Sequence, residues 1–192
     1  MDKRVVLDPG HGGHDPGAFY RGLAEKDVVL SIANYVAEGI EIIDPFIWVG
    51  LTRTHDKFIT LQARCDFSNN MKADCFVSIH CNADPDPDIP GMPEAKGEEI
   101  WIYRGSVKGL TLALYLCTEV DNIFPDEPFR GIKEAEGLYV LKHTIAPAAL
   151  VEVGFIDKSP SLDVFTDELT LRKAGAGIAR GIFTYLKEQN HG

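Results

Sequence analysis

Apolar and polar positions change rhythm repeatedly along the chain. Val5-Val6-Leu7 is a short apolar run stopped by Asp8-Pro9-Gly10, and it reads as a strand. Across residues 24–40, Val29, Ile32, Ala33, Val36, Ala37 and Ile40 recur at the spacing of one helix face. Phe46 to Leu51 reads as a strand and residues 60–72 as a second helix. Cys75-Phe76-Val77-Ser78-Ile79 is short, apolar and rich in β-formers, so it predicts a strand buried on both faces. Ile100 to Tyr103 follows as a strand and residues 109–123 as a strongly apolar helix. Leu138–Leu141 and Ala149–Val153 read as the last two strands, and 168–188 as the closing helix. Alternation of this kind predicts an α/β domain: a mostly parallel central sheet of about six strands, flanked by helices on both faces. From Asp84 to Pro93 four prolines fall within ten residues, which reads as a surface loop inside the domain.

Composition narrows the class. With 192 residues, 45% hydrophobic and 25% charged, the chain suits one globular domain with a sizeable core. Nineteen basic against 29 acidic residues give a net charge of −10, and no dense basic run interrupts the sequence. A nucleic-acid backbone or an anionic membrane is therefore not the expected partner. No stretch approaches the 18 or so apolar residues of a membrane span. The first apolar run is also too short for the apolar region of a signal peptide, about 7–15 residues, so none is expected and location is left open. Cys65, Cys75, Cys81 and Cys117 form no C-x-x-C pair, and reduced, mostly buried thiols are expected.

Three predicted strand ends carry unusual groups, and ligands of open α/β sheets bind beyond the carboxyl ends of strands. The first strand runs into Gly10-His11-Gly12-Gly13-His14, the strand at 75–79 into His80-Cys81-Asn82, and Glu152 sits inside the apolar run 149–153. A catalytic zinc takes three His/Asp/Glu-type ligands and keeps one position open. His11 and His80 supply two imidazoles, and Glu25, at the start of the first helix, suits the third place. Glu152 then serves as general base or acid, because a carboxylate in an apolar strand is otherwise costly. Blander readings stand beside these. His14 rivals His11, Glu25 could be a first-turn carboxylate favoured by the helix dipole, His80 a core histidine, and Glu152 a partner for an arginine. His55 and His143 read as solvated.

The blocks Val6-Leu7-Asp8-Pro9-Gly10-His11-Gly12-Gly13, Gly17-Ala18 and Glu25-Lys26-Asp27 resemble the zinc-dependent N-acetylmuramoyl-L-alanine amidases of the amidase 3 family. So do Leu51-Thr52-Arg53-Thr54-His55-Asp56, Leu61, Arg64 and the run from Ala73 to Ala83. Gly131-Ile132-Lys133, Leu138 to Leu141, and Pro147 with Val151 to Ile156 complete the match, from about residue 4 to 187. The resemblance implies that His11, Glu25 and His80 bind Zn2+ and that Glu152 is catalytic. It implies a peptidoglycan hydrolase that cleaves the amide between the lactyl group of N-acetylmuramic acid and L-alanine of the stem peptide. Residues 1–192 are then a single catalytic domain without a separate wall-binding domain, from a phage endolysin or a bacterial autolysin. The chain departs from the family at Asp157-Lys158, where a small hydroxylated residue and Asn are usual. Some relatives carry an inserted helix that plugs the zinc site. The segment from Asp84 to Gly97 is too short and too proline-broken for one, so an open site with no obligate activator is expected. A zinc carboxypeptidase acting on stem peptides and a non-catalytic wall-binding module are the competing readings.

Overall fold

A computed structural model describes residues 3–84, 95–124, 126–157 and 161–189. In chain order its elements are β1 (Arg4–Pro9), β2 (Phe19–Tyr20), β3 (Leu23–Ala24), α1 (Glu25–Ile43), β4 (Trp48–Leu51), α2 (Leu61–Met71) and β5 (Cys75–Asn82). Then come β6 (Glu99–Tyr103), α3 (Val107–Val120), β7 (Ile132–Ala135), α4 (Tyr139–His143), β8 (Ala148–Phe155), α5 (Ser161–Thr166) and α6 (Glu168–Glu188). Six strands form one sheet in the order β4-β1-β5-β8-β6-β7, and β2 pairs with β3 as a separate small hairpin. Every neighbouring pair in the large sheet is parallel except β6 with β8. The expected α/β architecture is present.

Alternation along the strands assigns the two faces. Val5, Leu7, Val77, Ile79, Val151 and Val153 face a core with α1, α3 and α6. Val6, Phe76, Ala148 and Leu150 face the opposite side, where Cys65 of α2 and Val140 and Leu141 of α4 cover them. Side-chain caps fix the starts of α2 and α6: Thr60 accepts from Ala63 N at 3.2 Å, and Asp167 from Thr170 N at 3.0 Å. All four cysteines are free, three of them buried.

The strand expected at Leu138–Leu141 is a correction: these residues enter α4. Four apolar residues in a row carry no periodicity, so strand and buried helical turn look alike in sequence. The sixth strand is instead β7, Ile132–Ala135, an edge strand with a Lys-Glu centre that gives little apolar signal. The proline-rich stretch, from residue 85 to 94, lies outside the described residues, and the expectation of an open site falls there.

Candidate metal centre

The site is built at the carboxyl ends of β1, β5 and β8. β1 leads into Gly10 and then His11, whose φ of 57° lies in the left-handed region. That conformation costs a non-glycine residue about 1–3 kcal/mol and persists only where neighbours impose it. Two buried arginines do so. Arg64 donates to the carbonyls of Pro9 at 2.7 Å and His11 at 2.6 Å, and also pairs with buried Asp8 at 2.8 Å. Arg53 donates to the carbonyls of Pro9 at 3.0 Å and Gly10 at 2.7 Å, and to Lys26 O at 2.7 Å. Each of these charge-assisted bonds contributes about 1.5–3 kcal/mol, so together they outweigh the strain. Close approach explains two glycines. A Cβ on Gly10 would come within 2.3 Å of the His80 ring, and one on Gly17 within 2.4 Å of Glu25 Oε2.

Glu25 stands between the two histidines. Its Oε2 lies 3.1 Å from His11 Nε2 and its Oε1 3.0 Å from His80 Nδ1. Backbone N–H groups of Ala18 and Cys81 also donate to it, at 2.8 and 2.9 Å. The opposite nitrogen of His11, Nδ1, lies 2.9 Å from Asp15 Oδ2, which sets the ring's orientation. One donor atom from each of His11, Glu25 and His80 falls within 4.8 Å of the others. Among the described residues this is the sole such group of three or more. Burial alone would push Glu25 up, but hydrogen bonds from His11 and His80 outweigh it and hold its carboxyl well below the ordinary range. The reverse holds for His11: burial pulls it down, yet Glu25 and Asp15 raise it to about 9. His80 is raised too, Glu25 again overcoming burial. In the metal-free protein short contacts join two imidazoles to one carboxylate, and a divalent cation would take their place, since such ligands bind metal deprotonated.

Glu152 lies beside this group because β5 and β8 pair His80 with Glu152. Its Oε2 is shut off from solvent with no hydrogen-bond partner. Burial raises its pKa from 4.5 to about 7, with His80 pulling the other way. Among the described residues no arginine bridges it, so the structural ion pair is not formed. Cys81 packs into the α1 side of the sheet, away from the His80 face. His14 stacks on Phe58 at 4.1 Å and takes no part in the cluster. His55 and His143 are exposed. Sequence reasoning missed Asp15 as a partner of His11, and gave Arg53 and Arg64 no role beyond the family pattern.

A cavity of about 410 Å³ opens over His11 and His80, walled by Phe58, Ile59, Leu61 and Tyr139. A larger cleft of about 630 Å³ lies near Lys3, Lys72, Asp74 and Lys108. That cleft sits where β1 and β5 begin, at the wrong end of the sheet for a ligand site, and His11, Glu25, His80 and Glu152 do not line it. Asp157, at the departure from the family pattern, accepts from Asp84 N at 2.8 Å and ties the end of β8 to that of β5.

Comparison with known proteins gives one answer. The amidase 3 family, described as N-acetylmuramoyl-L-alanine amidase, matches residues 5–184. An endolysin of Bacillus phage SPP1 is 36% identical over 95% of this chain and 65% of its own length. A sporulation-specific N-acetylmuramoyl-L-alanine amidase of Bacillus subtilis (strain 168) is 31% identical over 93% of this chain and 66% of its own. The chain thus spans slightly less than two-thirds of these two relatives. The solved structure of the N-acetylmuramoyl-L-alanine amidase AmiC2 of Nostoc punctiforme superposes with a TM-score of 0.86 at 33% identity, covering 97% of this chain and 98% of that one.

Proposed function

Since the chain belongs to the N-acetylmuramoyl-L-alanine amidase family, we propose that it is a zinc-dependent hydrolase of peptidoglycan that cuts between the lactyl group of N-acetylmuramic acid and L-alanine. Residues 4–187 are the catalytic unit in this reading. His11, Glu25 and His80 would hold the metal. Two imidazoles and one carboxylate are a donor set that zinc accepts while keeping a position open, and their donor atoms already converge within 4.8 Å. Bound zinc would polarise the scissile carbonyl and bring a water's pKa down toward about 7.

The chain's own residues carry the proton. Glu152 Oε2 takes one from the attacking water, and the protonated carboxyl then passes it to the departing L-alanine nitrogen. The observation that carries this reading is Oε2 itself, a buried carboxylate oxygen with no partner beside three convergent donors. In the metal-free protein burial raises this carboxyl to about 7, the range in which one group can accept a proton and return it. Asp15 and the backbone amides of Ala18 and Cys81 keep His11 and Glu25 oriented. Phe58, Ile59 and Leu61 give the cavity beside the reacting bond an apolar wall.

Digestion of purified peptidoglycan tests this directly. New L-alanine amino termini should appear, vanish with a chelator and return on adding zinc. Release of a terminal amino acid instead would identify a carboxypeptidase, and no cleavage by zinc-loaded protein would refute the enzymatic reading.

A further inference from the structure

The sheet face that carries Glu152 continues into a second group of charges. Glu152 of β8 pairs with Glu99 of β6, and Trp101 of β6 pairs with Lys133 of β7. Directly paired residues share a face. Lys133 is therefore two strands across and two residues along from Glu152, roughly 12 Å at the backbone. Glu99 is buried, with 3% of its surface exposed. Its Oε1 accepts from Asn82 Nδ2 and Trp101 Nε1, each at 2.9 Å. Its Oε2 accepts from Arg130 Nε at 2.7 Å and from the Lys133 ammonium.

One carboxylate thus serves two cations and two neutral donors, more than its burial requires, and one positive charge is left over. Both cations reach solvent, their side chains 36% and 30% exposed. Arg130 commits only Nε, and among the described residues no acceptor engages its terminal nitrogens. Its guanidinium lies 5.1 Å from the centre of the Phe155 ring, and the Lys133 ammonium 5.3 Å from that of Trp101. Rings and carboxylate together hold two long side chains in place, so little rotamer freedom remains to be lost when an anion arrives.

We propose that Arg130 and Lys133 form a receptor for a carboxylate on the second residue of the stem peptide. This rests on the amidase reading. With L-alanine departing beside Glu152, one further residue extends the chain by about 3.3–3.6 Å. A carboxylate on that residue then stands within reach of a lysine side chain that returns over β6 to Glu99. Where the second residue is D-glutamate joined through its γ-carboxyl, its α-carboxylate is the free group at this place, and amidation to the carboxamide removes the charge.

Two synthetic muropeptides, identical except for an α-carboxylate or α-carboxamide on that residue, test the receptor with the zinc-loaded protein. The carboxylate substrate should have a kcat/KM about 10–100-fold higher, the size of a charge-assisted contact, mostly through KM. Lys133→Met should shrink that preference toward unity, Lys133→Arg should retain it, and Arg130→Gln should lower it. Equal wild-type rates on the two substrates would overturn the receptor while leaving the amidase reading intact. So would a Lys133→Met that keeps the full preference. If neither substrate yields an L-alanine amino terminus, the amidase reading falls and the receptor with it.

Discussion

Glu152→Gln separates proton transfer from shape, because the amide keeps the outline of the side chain and cannot accept a proton as a base. In the metal-free protein burial raises Glu152 from 4.5 to about 7. At 1.36 kcal/mol per pH unit, that step is a cost of at most about 3 kcal/mol for carrying the charge in the folded state. The sign follows from proton binding. The folded form holds this proton more tightly than the unfolded chain, so the associated stability is fully present below about pH 4.5. It drains away as pH rises through about 7. Glu152→Gln has no such loss. Its melting temperature relative to the native protein should therefore climb between pH 5 and 8, by up to roughly 5–10 °C for a domain of this size. The Gln amide must itself find acceptors, at a cost of about 1–3 kcal/mol, so the slope with pH is the diagnostic quantity. Turnover of the zinc-loaded variant should fall at least about 100-fold, with bound zinc near one per chain. An active, zinc-loaded Glu152→Gln, or one destabilised with activity tracking its folded fraction, would refute the catalytic role.

His11→Ala and His80→Ala should each lower bound zinc sharply, since two protein ligands make a poor site, whereas His14→Ala should leave metal content unchanged; elemental analysis decides. Zinc uptake by the metal-free protein at pH 7 should release protons, because His11, raised to about 9, is protonated there. Calorimetry in two buffers of different ionisation enthalpy should then give different apparent heats, and equal heats would refute the proton-bridged cluster. Arg64→Met strands buried Asp8 and frees the carbonyls of Pro9 and His11. It should cost about 3–5 kcal/mol of stability and weaken zinc binding about 10–100-fold. Loss of stability with unchanged zinc affinity in the folded fraction would show that the clamp does not position His11.

The residues that broke a local pattern were the ones legible in the sequence. Glu152 stands out because a carboxylate inside Ala149–Val153 violates an apolar run, and the sheet puts it beside His80 with its Oε2 unpartnered. His80 stands out because it follows the apolar run 75–79 directly, and His11 because it sits in the glycine-rich turn that ends the first apolar strand. Leu138–Leu141 misled because a four-residue run has no period to read, and β7 hid because its Lys133 and Glu134 look like loop. Arg53 and Arg64 were opaque for a different reason. Their partners are mostly backbone carbonyls, of Pro9, Gly10 and His11, some 43 to 55 positions away. Carbonyls have no residue identity, so no pairing of types betrays the contact. Such a clamp matters nonetheless, because His11 reaches Glu25 only from a left-handed backbone that few side chains tolerate. Donor type at a metal site can thus be read from the side chains that break pattern. Donor placement depends on guanidiniums that bind backbone, and it becomes visible only once β1, α2 and the segment after β4 are folded together.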